Sequence, residues 1–157
     1  MTETNPIKPR VFIDADVLFA GAAAPSEYGA SLVILRMAEI TLIEAVTSDQ
    51  VINEAERNLA EKLPNTLPTF RMLVSRCLRV VSDPELIDLK PHIGIADPKD
   101  LPILITAMRE ECPWLVTFNT RHFKPGHSDI TVLEPGDFVM RVRDLLTRLT
   151  PSDKFPF

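Results

Sequence analysis

The sequence predicts an α/β fold, a mostly parallel sheet of short strands covered by helices on both faces. Three observations carry this. Short β-branched and aromatic runs alternate along the chain with stretches of helical spacing, which is the pattern of βαβ crossovers. The 157 residues, 45% of them apolar, suffice for one domain with its own core, so neither disulfides nor a structural metal is needed for folding. No internal repeat, low-complexity tract or linker-like shift of composition divides the chain, apart from proline-rich ends at 5–9 and 151–157. One domain is therefore expected over residues 8–149, with 1–7 and 150–157 as short flexible ends.

The elements follow in order. Arg10-Val11-Phe12-Ile13 reads as a buried strand that ends at Asp14 and leads into a loop. Residues 29–39 read as a helix. Residues 40–47 are apolar and rich in β-formers, so they give a second strand. The helix behind it, capped by Thr47 or Ser48, carries Val51, Ile52, Ala55, Leu59 and Leu63 on one face until Pro64 stops it. Residues 68–75 form another helix and Leu78–Val81 another strand. In Asp97-Pro98-Lys99-Asp100-Leu101-Pro102 the next helix opens either on Asp97, with Pro98 at its first position, or on Asp100, with Pro102 in its first turn. The second register wastes fewer backbone donors. That helix continues through Met108; strands at 114–117 and 130–133 and a helix over 136–149 complete the chain.

Composition bounds the function. Asp and Glu number 22 against 17 Lys and Arg, a formal charge of −5, which argues against coating nucleic acid through bulk electrostatics. It leaves room for a local basic rim. A metal-dependent nuclease needs clustered carboxylates, and its cations neutralise that excess where the phosphate binds. The apolar stretches fall far short of the ~20 residues that cross a bilayer, and the N-terminus lacks a basic-then-apolar leader, so a cytoplasmic location is expected. Cys77 and Cys112, with no CxxC and no paired histidine nearby, read as buried thiols in a reducing compartment. His92, His122 and His127 make no HxxxH or HxH spacing, so a zinc enzyme is not expected.

In an open parallel sheet, ligands gather beyond the carboxyl ends of the strands. Carboxylates recur there. Asp14 and Asp16 end the first strand, Glu54 lies on the helix after the second, Asp97 and Asp100 open the proline-marked helix, and Phe118-Asn119-Thr120 follow the 114–117 strand. Two bare carboxylates ~4 Å apart repel by about 4 kcal/mol at an effective dielectric of about 20, so a converging set needs protons or a hard cation. Oxygen-only ligation points to Mg2+ or Mn2+. Taken singly, each residue also has a structural reading. Asp14 suits a turn, Asp97 or Asp100 a helix cap, and Asn119 and Thr120 a turn, while the pattern does not separate Glu54 from the solvated Glu56 or Glu61.

Order and spacing add to this. The runs Val11-Phe12-Ile13-Asp14-Ala15-Asp16-Val17-Leu18, Ser48-Asp49-Gln50-Val51-Ile52-Asn53-Glu54-Ala55, Asp97-Pro98-Lys99-Asp100-Leu101-Pro102-Ile103-Leu104 and Leu115-Val116-Thr117-Phe118-Asn119-Thr120-Arg121-His122-Phe123 follow one another, with Val132-Leu133-Glu134-Pro135-Gly136-Asp137-Phe138 closing the chain. Together, over about residues 10–140, they resemble the PIN domain family, most closely the bacterial group that includes toxin ribonucleases of toxin–antitoxin pairs. The resemblance implies a PIN-like three-layer α/β/α sandwich with a central, mostly parallel, twisted sheet of about five strands. It also implies an endoribonuclease that cleaves single-stranded RNA with a metal-activated water, with Mg2+ or Mn2+ as cofactor and a small antitoxin protein and a second copy of the chain as partners.

Carried over position by position, Asp14, Glu54 and Asp100 would be the catalytic, metal-binding carboxylates, with Asp97 as a supporting one. Thr117, Asn119 and Thr120 would hydrogen-bond a metal-bound water or a phosphate oxygen. The family often has a fourth acid where this chain has Asn119, a poorer cation ligand. Asp16 stands where the family more often has a neutral polar residue, and it partly restores the charge. Arg121, His122 and Lys124 would form a basic stretch for the phosphate backbone, and cleavage specificity would depend on that rim and on the loop near 22–28.

Three other readings compete. Asp14-x-Asp16 also resembles the opening of haloacid dehalogenase-type phosphatases, with Thr47 as the phosphate-binding hydroxyl, but Leu18 stands where that family has Thr or Val and Asp97-x-x-Asp100 is wrongly spaced for its metal motif. A response-regulator receiver lacks its phospho-acceptor and its late lysine. A PIN-like module that binds RNA or protein with weakened or no catalysis is motivated by Asn119. The apolar faces of 29–39 and 51–63 suit a core first and a partner second.

Overall fold

A computed structural model describes residues 8–24 and 29–149. The expected flexible ends, and residues 25–28 of the loop, lie outside the described residues. Five parallel strands, β1 (Arg10–Ile13), β2 (Glu44–Ser48), β3 (Leu78–Val81), β4 (Trp114–Val116) and β5 (Thr131–Leu133), form one sheet in the order β3-β2-β1-β4-β5. Val11, Phe12 and Ile13 of the central strand are wholly buried, which explains why β1 reads as a continuous apolar run and not as an alternating one.

Seven α-helices join the described strands: α1 (Ala15–Ala22), α2 (Ala30–Glu39), α3 (Asp49–Lys62), α4 (Leu67–Cys77), α5 (Leu86–Leu89), α6 (Leu101–Arg109) and α7 (Pro135–Leu149). The chain winds outward from β1 to β3 and then crosses to the other side with β4 and β5. Right-handed crossovers running in opposite directions place their helices on opposite faces. Accordingly, α1 to α4 pack together with α7 against α2, while α5 packs on α6. The apolar faces of α2 and α3 go into the core: Ile34, Leu35, Val51, Ala55 and Leu59 are at most 1% exposed. Each large side chain buried in this way contributes roughly 1.5–3 kcal/mol. No described helix is long and apolar enough to cross a membrane.

The structure corrects two local expectations. Residues 40–43 are not strand, because α2 ends in a terminator: Thr41 takes φ 65°, and the N–H groups of Thr41 and Leu42 donate to the carbonyls of Ala38 and Met37 at 3.0 and 2.9 Å. The same device closes α6, where Glu111 takes φ 57° and Glu111 and Cys112 donate to Met108 and Ala107. The second correction touches the site. Asp14 does not lead into a loop but caps α1 directly, with its Oδ1 accepting from the Ala15 N–H at 2.8 Å. Both cysteines are buried and free, as expected.

Candidate active site

The order β3-β2-β1-β4-β5 reverses between β1 and β4, and such a switch point opens a crevice at the carboxyl ends of the strands. Asp14 ends β1 there. Its N–H continues the ladder to Val116 O at 3.0 Å, which fixes the carboxylate above the β1–β4 seam. Asp14 is 7% exposed. Its Oδ2 accepts from the Thr117 hydroxyl at 2.7 Å. Burial first, and then the charge of Asp16, push its pKa up to about 7, against the opposing bonds from Thr117 and Ala15.

Asp16, in the first turn of α1, faces the segment after β4. Its Oδ2 accepts from the Phe118 N–H at 3.0 Å and the Asn119 side-chain amide at 3.1 Å. Its Oδ1 is buried and has no hydrogen-bond partner. Burial raises the pKa of this carboxyl too, with the bonds from Phe118, Val17 and Thr117 opposing and Glu54 adding to the rise. Thr117 itself is fully buried and turns its oxygen on the two aspartates, so it holds Asp14 and does not face the pocket. Asn119 also receives a tether, from its own N–H to the Thr117 hydroxyl at 3.1 Å.

Two further elements close the ring. At the start of α6 the N–H groups of Asp100 and Leu101 donate to the Asp97 carbonyl at 2.9 and 2.8 Å, so backbone, not side chain, turns the chain into the helix. Asp100 is the N-cap residue with Pro102 in the first turn, as the second register expects, but its carboxylate makes no capping bond. It faces His122, whose Nδ1 lies 3.2 Å from Asp100 Oδ2. Its pKa is raised by burial, with His122 beside it opposing. From the other side comes Glu54 on α3, one position before buried Ala55, with its Oε1 3.7 Å from the Lys99 ammonium. Glu56 instead pairs with Arg71 at 3.4 Å, and Glu61 is exposed. Geometry separates three glutamates that pattern could not.

Asp14, Asp16, Glu54, Asp97, Asp100, Lys99, Asn119 and His122 line one cavity of about 180 Å³. Asp97, Asp100 and His122 each offer a ligand atom within 4.8 Å of the others, a carboxylate–imidazole group that the histidine spacing did not announce. Thr120 and Lys124 do not line this cavity; they border a neighbouring groove of about 590 Å³ with Phe123, His127 and Asp137. Arg121 is exposed on the short turn Thr120–Phe123. Thr47, the hydroxyl a phosphatase would need, is fully buried and donates to the Ile13 carbonyl at 2.9 Å.

The cavity fits a divalent cation. Five carboxylates converge, one buried acid is driven towards neutrality, and one buried oxygen of Asp16 has no partner; a hard cation answers all three. Sequence reasoning missed Lys99 as a pocket residue and Gln50, whose side-chain amide donates to the Lys99 carbonyl at 3.0 Å and ties α3 to the Asp97–Asp100 turn. Neither had a periodic signal.

A family model described as PIN domain matches residues 10–121. Among solved structures, a chain of VapBC2 from Rickettsia felis, crystallised bound to a DNA fragment from its promoter, is similar with a TM-score of 0.60 and 15% identity, covering 80% of this chain and 98% of that chain. VapC20 from Mycobacterium tuberculosis, a sarcin-ricin loop cleaving toxin, gives a TM-score of 0.48 and 14% identity, covering 67% of this chain and 86% of that chain. No curated protein matches.

Proposed function

Because the chain belongs to the PIN domain family, we propose that it is a Mg2+- or Mn2+-dependent endoribonuclease acting on single-stranded RNA, the toxin of a toxin–antitoxin pair. One observation carries the reading: five carboxylates from three separate segments converge on a single cavity at the switch point of the sheet.

Asp14, Glu54 and Asp100 would hold the cation, with Asp97 and Asp16 supplying further charge. His122 beside Asp97 and Asp100 adds an imidazole nitrogen, which suits Mn2+ better than Mg2+. A bound divalent cation supplies Lewis-acid stabilisation of charge on the phosphate and makes hydroxide available near neutral pH. The chain's own groups do the rest. Thr117 holds the Asp14 carboxylate over the β1–β4 seam, Glu54 orients the attacking water, and Lys99 places an ammonium in the pocket for the phosphate oxygens. Arg121 and Lys124 offer charge along the rim for the RNA backbone.

The likeness to VapBC2 supports an antitoxin partner. A homodimer belongs to the same proposal, and Leu86, Ile87 and Ile93, between 68% and 79% exposed, provide apolar surface for it. A binding module without catalysis is the second reading, favoured by Asn119, which is spent on Asp16 in place of a fourth family acid.

The test is cleavage of a labelled single-stranded RNA by the purified chain in Mn2+, in Mg2+ and in EDTA. Cutting in either ion and none in EDTA is expected. Binding of the same RNA without cutting in any ion would favour the second reading.

A further inference from the structure

Most aromatic rings of the described chain are spent on packing. Phe12, Phe70, Phe123 and Phe138 are buried; half-buried Trp114 stacks edge-on against Phe138 at 6.1 Å, and half-buried Phe19 lies under the Lys62 ammonium at 5.7 Å. Phe118 is the one exposed phenylalanine or tryptophan among the described residues, at 47%. It stands between Thr117, which holds Asp14, and Asn119, which lines the acidic cavity.

Its backbone is anchored on both sides. Thr117 N–H donates to Leu133 O at 3.0 Å, Phe118 N–H to Asp16 Oδ2 at 3.0 Å, and Asn119 N–H to the Thr117 hydroxyl at 3.1 Å. Three successive bonded amides make the ring's base rigid, so little entropy is lost when something lies on it. Consecutive Cα atoms are about 3.8 Å apart, which puts Phe118 one residue's step from a cavity-lining side chain. The surroundings suit a polyanion with flat apolar faces: Lys99 and His122 in the cavity, Arg121 and Lys124 exposed beyond it. A protein partner would call for a contiguous apolar patch, whereas the residues flanking Phe118 in the chain, Thr117 and Asn119-Thr120-Arg121, are polar or charged.

We propose that Phe118 is a stacking platform for an unpaired base next to the scissile phosphate. The proposal rests on the nuclease reading and deepens it. A paired base is covered above and below by its neighbours and cannot lend a face to the ring, whereas a base splayed from a single strand can. Phe118 thus makes the site select single strands.

The test places a reporter at the ring. In Phe118→Trp, emission is followed on adding a single-stranded RNA 12-mer in Ca2+, against the same RNA as a duplex, against inorganic phosphate, and with the unsubstituted chain, whose Trp114 is its one tryptophan, as blank. Quenching by the single strand alone is expected. Phe118→Ala should weaken RNA affinity roughly 5- to 150-fold and raise KM more than it lowers kcat, with Phe118→Trp restoring both. Cleavage by the unsubstituted chain is measured alongside. Quenching without cleavage upholds the platform and sinks the nuclease reading; cleavage without quenching overturns the platform alone; absence of both overturns both. If Phe118→Ala leaves RNA affinity intact and instead dissociates a dimer, the ring is a protein contact and the proposal is wrong.

Discussion

The Thr117 hydroxyl donates across 2.7 Å to Oδ2 of Asp14, joining the ends of β4 and β1 where the strand order reverses. A hydroxyl has one proton, and the alternative acceptor, Asp16 Oδ2, is 3.4 Å away, so the bond belongs to Asp14. Removing it takes a partner from a buried carboxylate. Thr117→Val should therefore raise the Asp14 pKa further and move the acid limb of the pH–rate profile to higher pH. At pH 8 it should cost roughly 1–3 kcal/mol in urea unfolding. Thr117→Ser should restore both.

Asp14 is also a stability liability. Its folded pKa of about 7 stands above the ordinary 3.8, so the folded state binds its proton more tightly than the unfolded one. The cost is absent below about pH 4, grows as pH rises, and is complete above about 7, where it is of order 4 kcal/mol. In EDTA, Asp14→Asn should be more stable than the unsubstituted chain by up to that amount at pH 8. The gap should vanish near pH 4. Urea titrations at the two pH values measure it.

Divalent cations should reverse that liability. Mn2+ at about 100 times its Kd should stabilise the fold by about 2.7 kcal/mol at pH 8. The gain should shrink as pH falls below about 7, because protons compete for Asp14, and for Asp16 and Asp100, whose pKa values are raised as well. Thermal melts across pH, in Mn2+ and in EDTA, read this directly.

Lys99 has two effects of opposite sign. Beside Glu54 at 3.7 Å it repels a cation from the pocket, and under the nuclease reading it attracts the phosphate. Lys99→Met should then tighten Mn2+ binding roughly three- to tenfold while lowering kcat/KM for RNA. Calorimetry with Mn2+ and steady-state cleavage give the two numbers. A fall in both, or a rise in both, would refute this assignment.

Much of this was legible in the residues. The runs at 10–13 and 114–117 mark strands because a parallel sheet buried on both faces demands near-continuous β-formers, whereas 78–81, an edge strand with Arg79 and Val80 exposed, is legible from its β-branched residues alone. Asp14 and Asp100 stood out by their place after a strand and before a helix. Helix α1 was not legible: Ala15–Ala22 is short and, apart from Asp16, apolar on every side, and its glycine and β-branched residue weaken any helical preference. Residues 40–43 look like strand because local composition says nothing of the left-handed turn at Thr41. Glu54, Lys99 and His122 were beyond pattern for another reason. Their roles arise between elements that meet only when α3, the turn before α6 and the turn after β4 pack at one end of the sheet, and no periodicity within one segment records that meeting.

The most direct measurement follows cleavage of a labelled single-stranded RNA in Mn2+ and the urea stability in EDTA, on the same preparations of the unsubstituted chain and Asp14→Asn at pH 8. The account predicts opposite movements: cutting is lost in Asp14→Asn while metal-free stability rises. An Asp14→Asn chain that still cuts at the original rate, or an unsubstituted chain that cuts equally well in EDTA, would contradict a metal-dependent centre built on Asp14.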